Sequence, residues 1–187
     1  MKKFNKGEWS ELYVFLTILA DGKLYAADEK LNKIESTFYT ILKVIRENHD
    51  YLRDNDNQLI LIQSDEVSLQ IPIQKFVDNA PKLLNEIMTA KGSSFAIPEI
   101  SDLLHDIAVT KIKAESGRKG DLTVQIHDDY TGFEPIIDFS IKSYLGGTPT
   151  LLNASNATTA EFILSGTIDN SLVEKVNNIT GTSTVIS

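Results

Sequence analysis

Along the first 110 residues the apolar positions recur mostly at helical spacing, and beyond them mostly at strand spacing. Near the start, Trp9, Leu12, Tyr13, Leu16, Leu19 and Ala20 fall three or four apart, which marks one buried helical face. Asn5 with Glu8 three residues later is a capping-box pattern. The spacing predicts a helix over about 6–20, ending near Asp21-Gly22. A second helix is predicted from Ser36 to Tyr51, because Phe38, Ile41, Leu42 and Ile45 share a face. Two short strands follow, Gln58 to Gln63 and Val67 to Ile71, joined by polar residues at 64–66. Helices are predicted near 74–90 and 99–109, separated by Gly92-Ser93-Ser94 and Pro98, with Pro81 expected to kink or split the first.

From residue 110 the period changes from 3.6 to 2. Thr110 to Ala114 reads as a strand. Leu122, Val124 and Ile126 alternate with polar residues, as do Ile137, Phe139 and Ile141. The tail is read as strand-like over 161–165 and helical near 170–178. The expected class is α+β (α/β). A mostly helical region over 1–110, with a small hairpin, packs on a β-rich core over 111–187, and the two form either two parts or one single domain.

Composition narrows the chemistry. A chain of 187 residues is long enough for one compact domain. It has no cysteine, which excludes a thiolate metal site and a cysteine nucleophile and suits a reducing cytoplasm. Three scattered histidines, at 49, 105 and 127, make no zinc pattern. Lys2, Lys3 and Lys6 before the apolar run Leu12 to Ala20 imitate a secretory leader. Glu8 and Glu11 interrupt that pattern, and the run is too short to span a bilayer. The net charge of −8 counts against nucleic acid, since phosphate contacts are made by Lys and Arg. A divalent-metal nuclease, however, must gather carboxylates at its site.

The hairpin over 120–143 carries the candidate chemistry. Polar positions are odd in its first strand and even in its second, so antiparallel pairing sets the polar sets on one face. A turn centred on Thr131-Gly132 pairs residues whose numbers sum to 263. Asp121 then faces Lys142, Thr123 faces Ser140, and Gln125 faces Asp138; a bulge shifts the register by two without exchanging the faces. A carboxylate, an ammonium, a hydroxyl and a second carboxylate on one surface suit Mg²⁺-assisted phosphodiester hydrolysis. The alternative is a solvated face with an Asp–Lys pair worth under about 1 kcal/mol.

The strings Phe-Ser-Ile-Lys-Ser at 139–143, the following Leu-Gly, and Pro-Thr-Leu-Leu-Asn-Ala-Ser at 149–155 resemble the HpaII family of restriction endonucleases. Asn-Lys-Gly-Glu-Trp-Ser-Glu at 5–11 and Ala-Asp-Gly-Lys-Leu-Tyr-Ala at 20–26 resemble the start of the same family. That family is similar to the PD-(D/E)XK nucleases, which implies a restriction-endonuclease-like mixed β-sheet flanked by helices. The resemblance implies a type II site-specific deoxyribonuclease that uses Mg²⁺ on double-stranded DNA at a palindromic site containing CCGG. A homodimer and a cognate DNA methyltransferase are the implied partners. It also implies longer members, so the chain is expected to be a fragment or a short relative.

Residue by residue, Asp121 matches the first Asp of the nuclease motif and Lys142 its final Lys, while Ser140 stands where the middle acid is expected. Asp138 can supply that carboxylate from about 7 Å along the strand. Alternatively, Ser140 holds a water at the metal, with the Ile141 carbonyl as the backbone ligand. A glutamate on the first helix often reaches the metal in this superfamily, and Glu11 is the better choice because Glu8 is committed to the cap. Lys111, Lys113, Arg118 and Lys119 form the densest basic cluster, a candidate phosphate grip. Ser143, Asn153 and Ser155 are further candidates for DNA contact, with a solvent-facing connection as the alternative. The absence of an acid at 140 keeps open a non-catalytic DNA-binding relative, or a structural domain with no DNA role.

Overall fold

The computed structural model describes residues 2–113, 120–145 and 169–178. Helix α1 (Lys6–Asp21) opens the fold with the expected capping box. The Asn5 side chain accepts the Glu8 N–H at 2.9 Å, and Glu8 accepts the Asn5 N–H at 2.9 Å. The helix ends at Gly22, whose left-handed φ of 68° lets its N–H close on the Ile18 carbonyl. Arg53 donates to the last carbonyls, Leu19 and Ala20. A Cβ on Gly22 would collide with the Arg53 side chain, so both the backbone and the neighbour demand glycine.

Strands β1 (Lys23–Ala27), β2 (Lys33–Arg46), β3 (His49–Asp54), β4 (Leu59–Gln63) and β5 (Ser68–Pro72) follow. The expected helix over 36–51 is therefore corrected to β2, a two-residue turn and β3. This stretch is rich in β-branched and aromatic residues, which fit a pleated surface better than a helix. A bulge between Ile41 and Lys43 explains the misleading spacing. Ile41 pairs with Ile126 and Val44 with Val124, so two core residues three apart lie on one side of a strand, as they would on a helix. The region before residue 110 thus contributes five strands as well as its helices.

Helix α2 (Ile73–Thr89) runs unbroken through Pro81, so the expected split does not occur. Pro81 and Val77, whose carbonyl loses its helical donor, both face solvent, where water can replace that bond. A short 3₁₀ turn (Pro98–Ile100) leads into α3 (Ser101–Asp106). Thr110 to Lys113 is not a strand; its first three residues are held by the side chains of Arg46, at the end of β2, and Glu47, in the turn that follows. The sheet is completed by β6 (Leu122–His127) and β7 (Ile136–Phe139). The main path runs β5-β4-β3-β2-β6-β7, with β1 also on β2. All pairings among the described residues are antiparallel, so a parallel component of the expected mixed sheet is not among them.

One ladder of core residues crosses the sheet: Ile62, Tyr51, Val44, Val124 and Ile137 stand in consecutive strands. Trp9, Leu12, Phe15, Leu16 and Leu19 of α1 and Phe76, Leu83 and Ile87 of α2 belong to the same buried cluster. The fold class is α+β. The chain divides into units at Met1–Thr150 and Leu151–Ser187; the second contains α4 (Asn170–Asn177), matching the helix expected there, while 161–165 lies outside the described residues. No described helix is long and apolar enough to cross a membrane. Replacing Gly22 with alanine is expected to destabilise the fold by at least about 1–2 kcal/mol, the cost of a left-handed non-glycine residue, measured by urea unfolding. An unchanged midpoint would remove this account of the helix end.

Candidate active site

The β6–β7 hairpin has the predicted faces but not the predicted register. Leu122 pairs with Phe139, Thr123 with Asp138 and Gln125 with Ile136, a sum of 261 rather than 263. The turn chemistry accounts for the shift. The Asp128 carboxylate accepts the Tyr130 N–H at 2.9 Å and the Thr131 hydroxyl at 2.8 Å, and its carbonyl accepts the Gly132 N–H. The Thr131 hydroxyl and the Tyr130 N–H hold the Asp128 carboxyl below the usual carboxylate range. An Asx turn starting at Asp128 closes the loop against Phe133, so the turn is centred one residue earlier than expected.

Moving the register by two changes neighbours. The Thr123 hydroxyl, on a nearly buried residue, donates to Asp138 Oδ1 at 2.6 Å. Regular pairing then stops at Phe139. The Asp121 N–H donates to the Phe139 carbonyl at 2.9 Å, and the Asp121 Oδ2 accepts the Ile141 N–H at 2.8 Å. A side-chain carboxylate replaces the ladder acceptor where β7 leaves the sheet. Asp121 is thus fixed beside Ser140, Ile141 and Lys142 by a bond to the middle residue of the three, not by the expected pairing with Lys142. Gly120 makes the approach feasible: a Cβ there would sit 2.9 Å from the Asp138 Cβ and 3.0 Å from the Phe139 carbonyl oxygen.

Lys142 is exposed, as is Ser140. Ser143 is half-buried and its hydroxyl is hydrogen-bonded to that of Ser10 on α1 at 2.8 Å, while it also accepts the Leu145 N–H. It ties the segment after Lys142 to the first helix. Glu11, one residue along that helix, acts electrostatically on buried Arg46 of β2. His127 is flanked by Glu134 at 3.1 Å and Asp129 at 3.6 Å at the far end of β6. Of the basic cluster, Lys111 and Lys113 are exposed; Arg118, Lys119, Asn153 and Ser155 lie outside the described residues.

The donor set bears on whether a cation fits. Among the described residues no three His, Asp or Glu side chains converge on one point, so Asp121, Asp138 and Glu11 do not form a ready-made carboxylate cage. Mg²⁺ does not require one. It commonly takes one or two carboxylates and otherwise keeps waters and phosphate oxygens. Asp121 has Oδ1 and the remaining lone pairs of Oδ2 for that purpose, with the Ile141 carbonyl in the same short segment.

Arg46 and Glu47 do not stand out in the sequence, because the spacing there predicts a helix. The polar Glu-Asn pair directly after Thr40–Arg46, a stretch rich in β-branched residues, is the turn signal that would have found them.

The family model for the HpaII restriction endonuclease matches residues 5–187. The type II restriction enzyme HpaII of Haemophilus parainfluenzae is 38% identical over 182 residues, which are 95% of this chain and 50% of that protein. The chain therefore spans about half the length of the curated relative it matches. No solved structure matches.

Asp121 serves the backbone as well as any chemistry, and two substitutions separate the roles. Asp121→Asn keeps an oxygen acceptor for the Ile141 N–H and is expected to unfold at nearly the wild-type temperature. Asp121→Ala leaves that N–H without its partner and is expected to lose about 1 kcal/mol, one hydrogen bond's worth, by calorimetry. Equal losses in both variants would show that the bond to Ile141 contributes nothing.

Proposed function

Because the chain belongs to the HpaII restriction endonuclease family, we propose that it carries out Mg²⁺-dependent hydrolysis of phosphodiester bonds in double-stranded DNA at a short specific site. The observation that carries the reading is the bond from Ile141 to Asp121, which holds a carboxylate against the Ser-Ile-Lys segment. A restriction-endonuclease-like core, with Asp121 as the first acid of the motif and Lys142 as its lysine, follows from the same reading. The substrate class is a palindrome containing CCGG, which also suits a two-fold dimer and a protecting methyltransferase.

Asp121, with the Ile141 carbonyl, would hold the cation; Asp138 or Glu11 would be the second carboxylate, and Ser140 would hold a water where the motif has an acid. When bound, Mg²⁺ acidifies water and offsets charge developing on the phosphoryl oxygens. The protein's part is positional. The Ile141 N–H fixes the Asp121 carboxylate, so its free oxygen is oriented before substrate arrives. The exposed Lys142 ammonium can then meet the scissile phosphate or orient the attacking water. The tie from Ser143 to Ser10 keeps the lysine's backbone in place. Asp138 Oδ1 is taken by Thr123, which leaves Oδ2 as its contribution.

Ser140 favours a second reading, a DNA-binding relative that does not cut. Plasmid nicking separates the two. Wild type is expected to nick with Mg²⁺ and stop when EDTA is added. Asp121→Ala and Lys142→Ala are each expected to fall by on the order of 10²–10³-fold, the usual loss for one transition-state contact. Mg²⁺-dependent cutting retained in both variants would remove this site. Binding to duplex DNA with no cutting by wild type would support the second reading.

A further inference from the structure

The connection between β2 and β3 holds two polar residues in an unusual conformation. Glu47 and Asn48 form the whole turn between Arg46 and His49, and both are left-handed, with φ of 50° and 62°. Two left-handed residues between antiparallel strands make a type I′ turn, where Asn and Gly are the usual occupants. Glutamate meets a steric penalty in that backbone. What it gains is on the next segment. Its carboxylate accepts the Lys111 N–H at 2.9 Å, the Thr110 N–H at 3.0 Å and the Thr110 hydroxyl.

Arg46 grips the same segment from the preceding position. It is 6% exposed, and its Nη2 donates to the carbonyls of Lys111 at 2.6 Å and Ile112 at 2.7 Å. Its Nε lies 3.6 Å from Glu47 Oε1, and its guanidinium lies over the Phe15 ring. Both the N–H and the C=O of Lys111 are therefore held by ionised side chains, on a stretch with no strand or helix to hold it. Lys111 and Lys113 themselves are exposed, on either side of buried Ile112.

The clamp stands at the end of the sheet that carries Asp121. Ile45 pairs with Thr123 across β2 and β6, so the turn that follows β2 and the residues that precede β6, Asp121 among them, lie at the same end of the sheet. We propose that Arg46 and Glu47 are positioning residues: they fix the backbone of Thr110–Ile112 so that Lys111 and Lys113 meet duplex DNA phosphates beside the Asp121 end of the sheet. On a chain of net charge −8, two placed cations matter more than their number suggests. This inference rests on the DNA-cleaving reading above.

The test is Glu47→Asn, which gives the turn a residue it prefers and withdraws the carboxylate from Thr110 and Lys111. The unfolding midpoint is expected to fall, because Thr110 and Lys111 lose their acceptor and buried Arg46 loses the charge beside it, so binding is measured well below that midpoint, where the variant is folded. Affinity for a CCGG duplex, followed by anisotropy across a salt series, is expected to fall about 8-fold at 0.1 M salt for each phosphate the protein no longer neutralises, with the salt slope falling by about 0.9 per phosphate. KM for cleavage should rise with kcat unchanged, and Thr110 and Lys111 amides should exchange faster. Glu47→Gln, which keeps the length and one acceptor, should be intermediate, and Lys111→Ala should reproduce the salt effect. Wild-type affinity and salt slope in Glu47→Asn would overturn the clamp, as would weaker binding at an unchanged salt slope. A wild-type chain that does not bind duplex would overturn the DNA reading and the clamp with it.

Discussion

Strand β2 is hydrogen-bonded along both edges, and nearly everything else in the first unit depends on that. One edge takes β1 and then β3; the other takes β6. Without the β2–β6 pairing, the hairpin that carries Asp121 would be a two-stranded ribbon, which is marginal in water by itself. With it, Val124 and Ile126 join Val44 and Ile41 in the core beneath α1, and the polar side of the hairpin is left on the other face of the sheet. The bulge in β2 matters here as well. It turns Ile41 back toward the core after an extra residue, so the strand stays buried against β6 along the length of that pairing.

Carboxylates in this chain are used widely as acceptors for backbone N–H groups. Glu8 caps α1, Asp28 and Asp54 close turns, Asp128 sets the hairpin register, Glu47 clamps Thr110 and Lys111, and Asp121 extends β7. The acidic net charge is thus partly structural. At Asp121 the structural and chemical uses coincide: the bond that ends the strand also aims the carboxylate, so pre-orientation costs no further ordering when a substrate binds.

How much of this is legible in the chain alone varies by element. Asn5, Glu8 and Gly22 announce α1 and both its ends, because capping is local chemistry between residues three or four apart. The two faces of the hairpin are also legible over the residues that pair, β6 and β7, since alternation survives any shift by two. The register is not. It is decided by which residue starts the turn, and the Asp128 carboxylate makes that choice through bonds a face pattern does not contain. The segment 36–51 misleads outright, because a single bulged residue makes a strand repeat like a helix.

By itself, then, the sequence determined the α+β class, the local helix signals, the polar face that bears Thr123, Gln125 and Asp138, and the family to which the chain belongs. These rest on neighbours in the chain or on strings of residues. Only the tertiary structure decided that Asp121 meets the Ile141 N–H rather than Lys142, that Asp138 is engaged by Thr123, and that Arg46 and Glu47 grip a segment more than sixty residues away. Such bonds join groups far apart in the chain, and their partners are selected by register and packing, which no periodicity encodes.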